Sequence, residues 1–108
     1  MPTQPIKWTG VTEGVTTASI LIDDTSVMRR EWAWHAFVSG TFGGSASAVQ
    51  LEYSPDLPGT SDGSSTWYAP TALLFTAAGD TYFQAKPRKF RLVLTGGDGT
   101  TSVNVWVQ

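Results

Sequence analysis

The sequence predicts an all-β chain folded as an antiparallel β-sandwich, jelly-roll or immunoglobulin-like, of about seven to eight strands with an extended N-terminal arm. Three observations carry this. Apolar residues recur with period two rather than 3.6 in segment after segment, as in Val49, Leu51 and Tyr53 or Val103, Val105 and Val107. Glycine, β-branched and aromatic residues dominate those segments, whereas no stretch has the spacing of an amphipathic helix. Turn-forming runs such as Gly40–Gly44 and Gly96–Gly99 separate them at short intervals. At 108 residues with 41% apolar content, one domain with a packed core is expected.

Along the chain, residues 1–15 read as the arm, because Pro2, Pro5, Gly10 and Gly14 interrupt any regular pattern. Its anchors would be Ile6, Trp8 and Val11. Residues 16–108 then form the single sandwich domain. Within it, 16–22 is a strand closed by Asp23-Asp24. The next, 31–39, has two largely apolar faces, with Trp32, Trp34, Ala36 and Val38 on one and Ala33, His35 and Phe37 on the other. That pattern predicts a central strand covered on both sides. Residues 40–44 (GTFGG) read as a hairpin connection into 48–54, whose Gln50 and Glu52 point to water. A polar loop follows over 55–65. Shorter strands are predicted at 67–74 and 81–85 around the turn at Ala78-Gly79-Asp80. In 90–95, Phe90, Leu92 and Leu94 face inward and Arg91 outward. The last strand, 102–107, turns its valines inward and places Trp106 on the polar side with Ser102 and Asn104.

Few residues are equipped for bond-making chemistry, and the chain is not expected to be an enzyme. It has no cysteine, which excludes disulfides and thiolate metal sites. Its one histidine, His35, lies mid-strand among apolar neighbours, where a hydrogen-bonded structural role is expected over a catalytic base. Asp23-Asp24 is an adjacent carboxylate pair, but it sits where a strand ends and turn-forming aspartates belong. The oxygen-rich run from Asp56 to Asp62 lacks the alternating ligand spacing of a calcium loop. GTFGG is followed by neither a helix nor Lys-Ser/Thr, so it cannot cradle a phosphate. Residues 61–67 (SDGSSTW) resemble a fragment of the Asp-box of sialidase-type propellers, yet one copy cannot build a propeller and a turn at Asp62-Gly63 explains it. No metal and no cofactor are expected.

Net charge −2 gives no argument for nucleic acid or an anionic membrane. No apolar stretch approaches the roughly 20 residues that span a bilayer. The start MPTQPIKWTG lacks the apolar core of a secretory leader, so synthesis in the cytoplasm is expected. Charged residues make up only 15% of the chain, which points to surface covered by sister subunits.

Two features rise above this background. The chain has five tryptophans, and Trp106 on the polar side of a terminal strand is the least suited to a core; an interface anchor or a sugar-stacking platform fits it better. The stretch 86–91 holds Lys86, Arg88, Lys89 and Arg91, four of the seven basic residues. It would blunt an edge strand or dock an acidic neighbour.

The segments FVSGTFGG (37–44), VQLEYSPD (49–56) with Trp67, LLFTAAG (73–79), FRLVLTGG (90–97) and SVNVWV (102–107) together resemble small structural proteins of tailed bacteriophages, over about residues 32–107. The loop at 55–65 is longer than the pattern needs. The resemblance implies a virion component of the head decoration (cement) or fibre type with no catalytic residues. The expectation is a capsid cement protein on the outer shell at capsomer junctions, self-associating as a homotrimer and contacting the major capsid protein. Its interface residues would be Ile6, Trp8, Lys86, Arg88, Lys89, Arg91 and Trp106. The alternative is a fibre-type module that binds host-surface glycan through Trp106, Trp67 and the loop carrying Asp56 and Asp62.

Overall fold

The computed structural model describes residues 6–21, 33–44, 47–56 and 59–108. Asp23-Asp24 and Trp32 lie outside the described residues. Among those described, eight strands form two four-stranded sheets: β1 (Ile6–Thr12), β2 (Ile20–Leu21), β3 (Ala33–Thr41), β4 (Ala48–Ser54), β5 (Leu74–Phe75), β6 (Gly79–Gln84), β7 (Lys89–Thr95) and β8 (Ser102–Val107). The first sheet runs β1-β8-β3-β6 and the second β2-β7-β4-β5, antiparallel throughout. The fold is a β-sandwich.

Alternation in the strands builds the core. Trp34, Ala36 and Val38 of β3 and Val103, Val105 and Val107 of β8 point inward from the first sheet. They meet Val49 and Leu51 of β4 and Phe90, Leu92 and Leu94 of β7. Trp34 anchors the junction: its ring lies edge-on to Phe90 at 5.2 Å and its indole N–H donates to Ala85 O at 3.2 Å. Edge-to-face packing with a satisfied N–H is how a core accommodates a large amphipathic ring.

The N-terminal arm is corrected for residues 6–12. They are strand β1, paired with β8 from Ile6↔Val107 to Thr12↔Ser102, with a bulge between Trp8 and Val11. Ile6 and Trp8 are buried in the core rather than held out as anchors for a neighbour. Prolines and glycines obscured the alternation Ile6, Trp8 that marks a half-buried strand. After β1 the chain changes sheets. Gly14 and Thr17 donate backbone hydrogen bonds to Leu94 O and Leu92 O of β7, and Leu94 donates to Val15 O. Thus 14–17 and β2 together line β7, close to the strand expected at 16–22.

The GTFGG segment is also corrected. It joins β3 of the first sheet to β4 of the second, so it is an arch across the sandwich and not a hairpin. Close approach explains its glycines. Gly40 takes φ +111°, and a Cβ there would strike the Ser102 carbonyl of β8. At Gly43 a Cβ would collide with Thr100, Asp98 and the Thr101 amide. The Gly43 N–H donates to Thr101 Oγ1 at 2.9 Å, and Gly43 O accepts from the Asp98 amide at 2.9 Å. The arch is therefore stitched to the β7–β8 connection.

The strand expected at 67–74 is mostly irregular. Tyr68 forms an isolated bridge to Tyr53, Thr71–Leu73 is a 3-10 turn, and β5 has only two residues. Pro70 has no N–H to give a ladder, which limits pairing here.

Candidate functional site: two unlike outer faces

Each sheet has an outer face. On the second sheet, Lys89 and Arg91 project outward from β7, opposite to Phe90, Leu92 and Leu94. The loop at 59–67 folds over them. The Lys89 ammonium donates to Thr60 O at 2.8 Å and pairs with Asp62 Oδ1 at 3.3 Å, with its side chain only 1% exposed. Asp62 also accepts from the Ser19 hydroxyl at 2.7 Å and the Ser19 amide at 3.1 Å. The Ser19 hydroxyl bond, more than the lysine, holds the Asp62 carboxyl below its usual range; partial burial opposes the shift.

Trp67 closes the cluster. Its indole N–H donates to Asp62 O at 2.9 Å, and the Arg91 guanidinium lies 4.2 Å from its ring centre. Arg91 in turn pairs with Glu52 of β4 at 2.8 Å. Asp56 accepts from the Thr66 amide. The expected basic docking stretch is thus divided: Lys89 and Arg91 are turned into an internal brace, whereas Lys86 and Arg88 stay exposed on the segment before β7. The expected ligand loop is likewise corrected. Asp62 uses its carboxylate on Lys89 of β7 and on Ser19, and Trp67 uses its N–H on Asp62 O, because burying a lysine requires that its charge be matched.

The first sheet is different. Its outward side chains are Lys7 of β1, Trp106 and Asn104 of β8, His35, Phe37 and Ser39 of β3, and Asp80, Tyr82 and Gln84 of β6. Tyr82 is 75% exposed, Phe37 47% and Trp106 43%. The register places Lys7 beside Trp106, Trp106 beside Phe37, and Phe37 beside Asp80 in one row across all four strands. His35 sits one step along, beside Tyr82. Its ring stacks on Tyr82 at 4.2 Å and 11°, and its Nε2 lies 2.6 Å from Asp80 Oδ2. The Lys7 ammonium sits 4.7 Å from the Trp106 ring centre. Between His35, Phe37, Trp106 and Gln108 lies a shallow depression of about 150 Å3. A second, of about 400 Å3, opens beside Tyr82 and Gln84.

Trp106 is where its alternation with the valines placed it. β3 is central, between β8 and β6, but no described residue covers its outer face, contrary to the expectation of cover on both sides. Tyr82 and the row through Phe37 were not singled out as site residues, although the alternation in 31–39 put His35 and Phe37 on one face. Trp106 and Trp67 lie on opposite outer faces and cannot share one ligand.

His35 and Asp80 form a dyad, and among the described residues no serine, threonine or cysteine side chain is hydrogen-bonded to it. Among the described residues, no three His, Cys, Asp or Glu side chains gather to hold a metal. What the face offers is ring surface and a few polar ends. Comparison with protein-family models, with curated proteins and with solved structures finds no match.

Proposed function

We propose that this chain is a structural adhesion module of a tailed-phage virion, a capsid decoration protein that stabilises the head at capsomer junctions. The observation that carries the adhesive part is the row Lys7–Trp106–Phe37–Asp80, exposed among the described residues, with the Tyr82–His35 stack beside it. Exposed aromatic surface ringed by polar groups is the usual composition of a contact patch. The virion part rests on the resemblance of the strand and turn segments to phage structural proteins. In this reading the aromatic face grips a neighbouring subunit of the shell, and Arg88, exposed on the segment before β7, contributes basic charge toward the major capsid protein.

Each particle would carry many copies, so a modest contact suffices: symmetry-repeated weak contacts gain through effective concentration. The test is to add purified protein to undecorated heads and measure binding and the temperature of capsid disruption. Wild type should bind and raise that temperature, and Trp106→Ala combined with Phe37→Ala should lose the stabilisation while keeping the fold. Absence of the chain from purified particles and no binding to heads would contradict the proposal.

A second reading, a fibre-type glycan-binding module, draws on the exposed Tyr82 ring, stacked parallel on His35, beside the Asp80 carboxylate; these provide a ring surface and a hydroxyl acceptor. It no longer involves Trp67. Glycan binding lost on Trp106→Ala or Tyr82→Ala would favour it.

A further inference from the structure

The row across the first sheet has a charge order that constrains what can cover it. From edge to edge it reads cation, indole, phenyl, anion: Lys7 on β1, Trp106 on β8, Phe37 on β3 and Asp80 on β6. A two-fold axis lying in the plane of the face, parallel to the strands and midway between β8 and β3, exchanges the two halves of this row. Under that operation Lys7 falls opposite Asp80 of the second copy, and Trp106 falls opposite Phe37 of the second copy. Both charges are then matched twice, and both rings meet a ring. A three-fold arrangement does not superpose the row on its own complement. We propose that the outer face of the first sheet is occupied by a second copy of this chain, in a two-fold, face-to-face pair. The proposal rests on the adhesion reading and names the partner of its aromatic face.

Three details fit this partner. An isologous contact needs a self-complementary patch, and this row is one. Sheets stack with their strands within about 30° of one another and about 10 Å apart, and an axis parallel to the strands keeps them aligned. The row is flanked by polar side chains: Asn104 and Ser39 on one side, Gln108 and Gln84 toward the other. An apolar centre with a polar rim is the anatomy of a reversible interface.

Size sets the strength. Four strands at ~4.8 Å and about six residues at ~3.3 Å give a footprint of about 400 Å2 per copy. That lies at the low end of specific interfaces, so a dissociation constant on the order of 10 μM is expected. Such a pair is open in dilute solution and closed where neighbouring copies are held side by side.

The experiment is sedimentation velocity of the full chain from ~1 μM to ~500 μM, a window that brackets that constant. Wild type should pass from monomer to dimer. Lys7→Asp alone and Asp80→Lys alone should each remain monomeric through at least ~100 μM, a tenfold or greater weakening, because each places like charges opposite one another. An equimolar mixture of the two variants should dimerise again, because one copy then carries two acids and the other two bases. Far-ultraviolet circular dichroism and thermal melting confirm that each variant is folded, and Trp106→Ala provides an uncharged variant that should also stay monomeric.

A wild type that stays monomeric at ~500 μM overturns the proposal, as does a trimer, a dimer that ignores both charge changes, or a mixture that fails to pair. Monomeric wild type that still decorates undecorated heads would overturn the pair and leave the virion role standing. A charge-dependent dimer that binds no head would do the reverse.

Discussion

The two outer faces of this sandwich use similar residues to opposite ends. On the second sheet, Trp67 lies against Arg91 and above Lys89, and the charges around it are spent within the molecule: Lys89 on Asp62 and Thr60, Arg91 on Glu52, Asp62 on Ser19. On the first sheet, Trp106 lies beside Lys7 in much the same indole–cation relation, but no described segment folds over it. The difference is supplied by residues 59–67, which fold over the second sheet; among the described residues none folds over the first. An aromatic–cation pair is a brace when a loop seals it, and in the proposed reading an adhesive where it stays exposed.

The largest consequence of that contrast is in stability. Lys89→Ala should lower the unfolding free energy by about 3 kcal/mol, because it empties a buried site and strands the groups that faced the ammonium. Urea unfolding checks it. Lys7→Ala, its counterpart on the first sheet, should change stability by less than about 0.5 kcal/mol, as exposed positions do. Equal losses at the two lysines would erase the distinction between the faces.

Trp67→Ala comes next, at about 2 kcal/mol, since it removes both the stack on Arg91 and the bond to Asp62 O. Trp106→Ala should stay within about 0.5 kcal/mol and act on association alone. Thermal melting of both variants below the association range separates the two roles.

The smallest effect is on pH dependence. Asp62 has its folded-state pKa lowered below 3.8, chiefly by the Ser19 hydroxyl bond. A depressed carboxyl contributes stability that is fully present above its unfolded pKa and is lost as pH falls through the folded one. Wild type should therefore lose this increment below about pH 4. Asp62→Asn should start less stable at neutral pH and show a flatter acid limb. Acid unfolding curves that coincide for the two proteins would show that the carboxyl charge contributes nothing to the brace.

Much of this architecture was legible in the sequence, and the failures share a cause. Strands β3, β4, β7 and β8 were readable because each alternates cleanly, and Trp106 could be assigned outward because three valines claimed the other side. The run 86–91 could not be divided by eye. Its four cations differ only in what crosses them, and the covering loop is distant in sequence: Thr60 and Asp62 reach Lys89 across more than two dozen residues. The same limit applies to GTFGG. Glycines announce a reversal, but only tertiary pairing decides whether the chain returns within a sheet or crosses to the other. β1 was hidden by its own punctuation, since Gly10 serves a bulge within a strand and not the end of one. The row Lys7–Trp106–Phe37–Asp80 draws one residue from each of four strands, so no local pattern contains it.

The most direct test of the two-face account is to follow backbone amide NMR signals as the protein is concentrated from dilute solution into the association range. The account predicts shifts confined to residues 7, 35–39, 80–84 and 104–108, with the signals of 59–67 and 89–91 unmoved. Shifts centred on the covered face, or none anywhere on the first sheet, would contradict it.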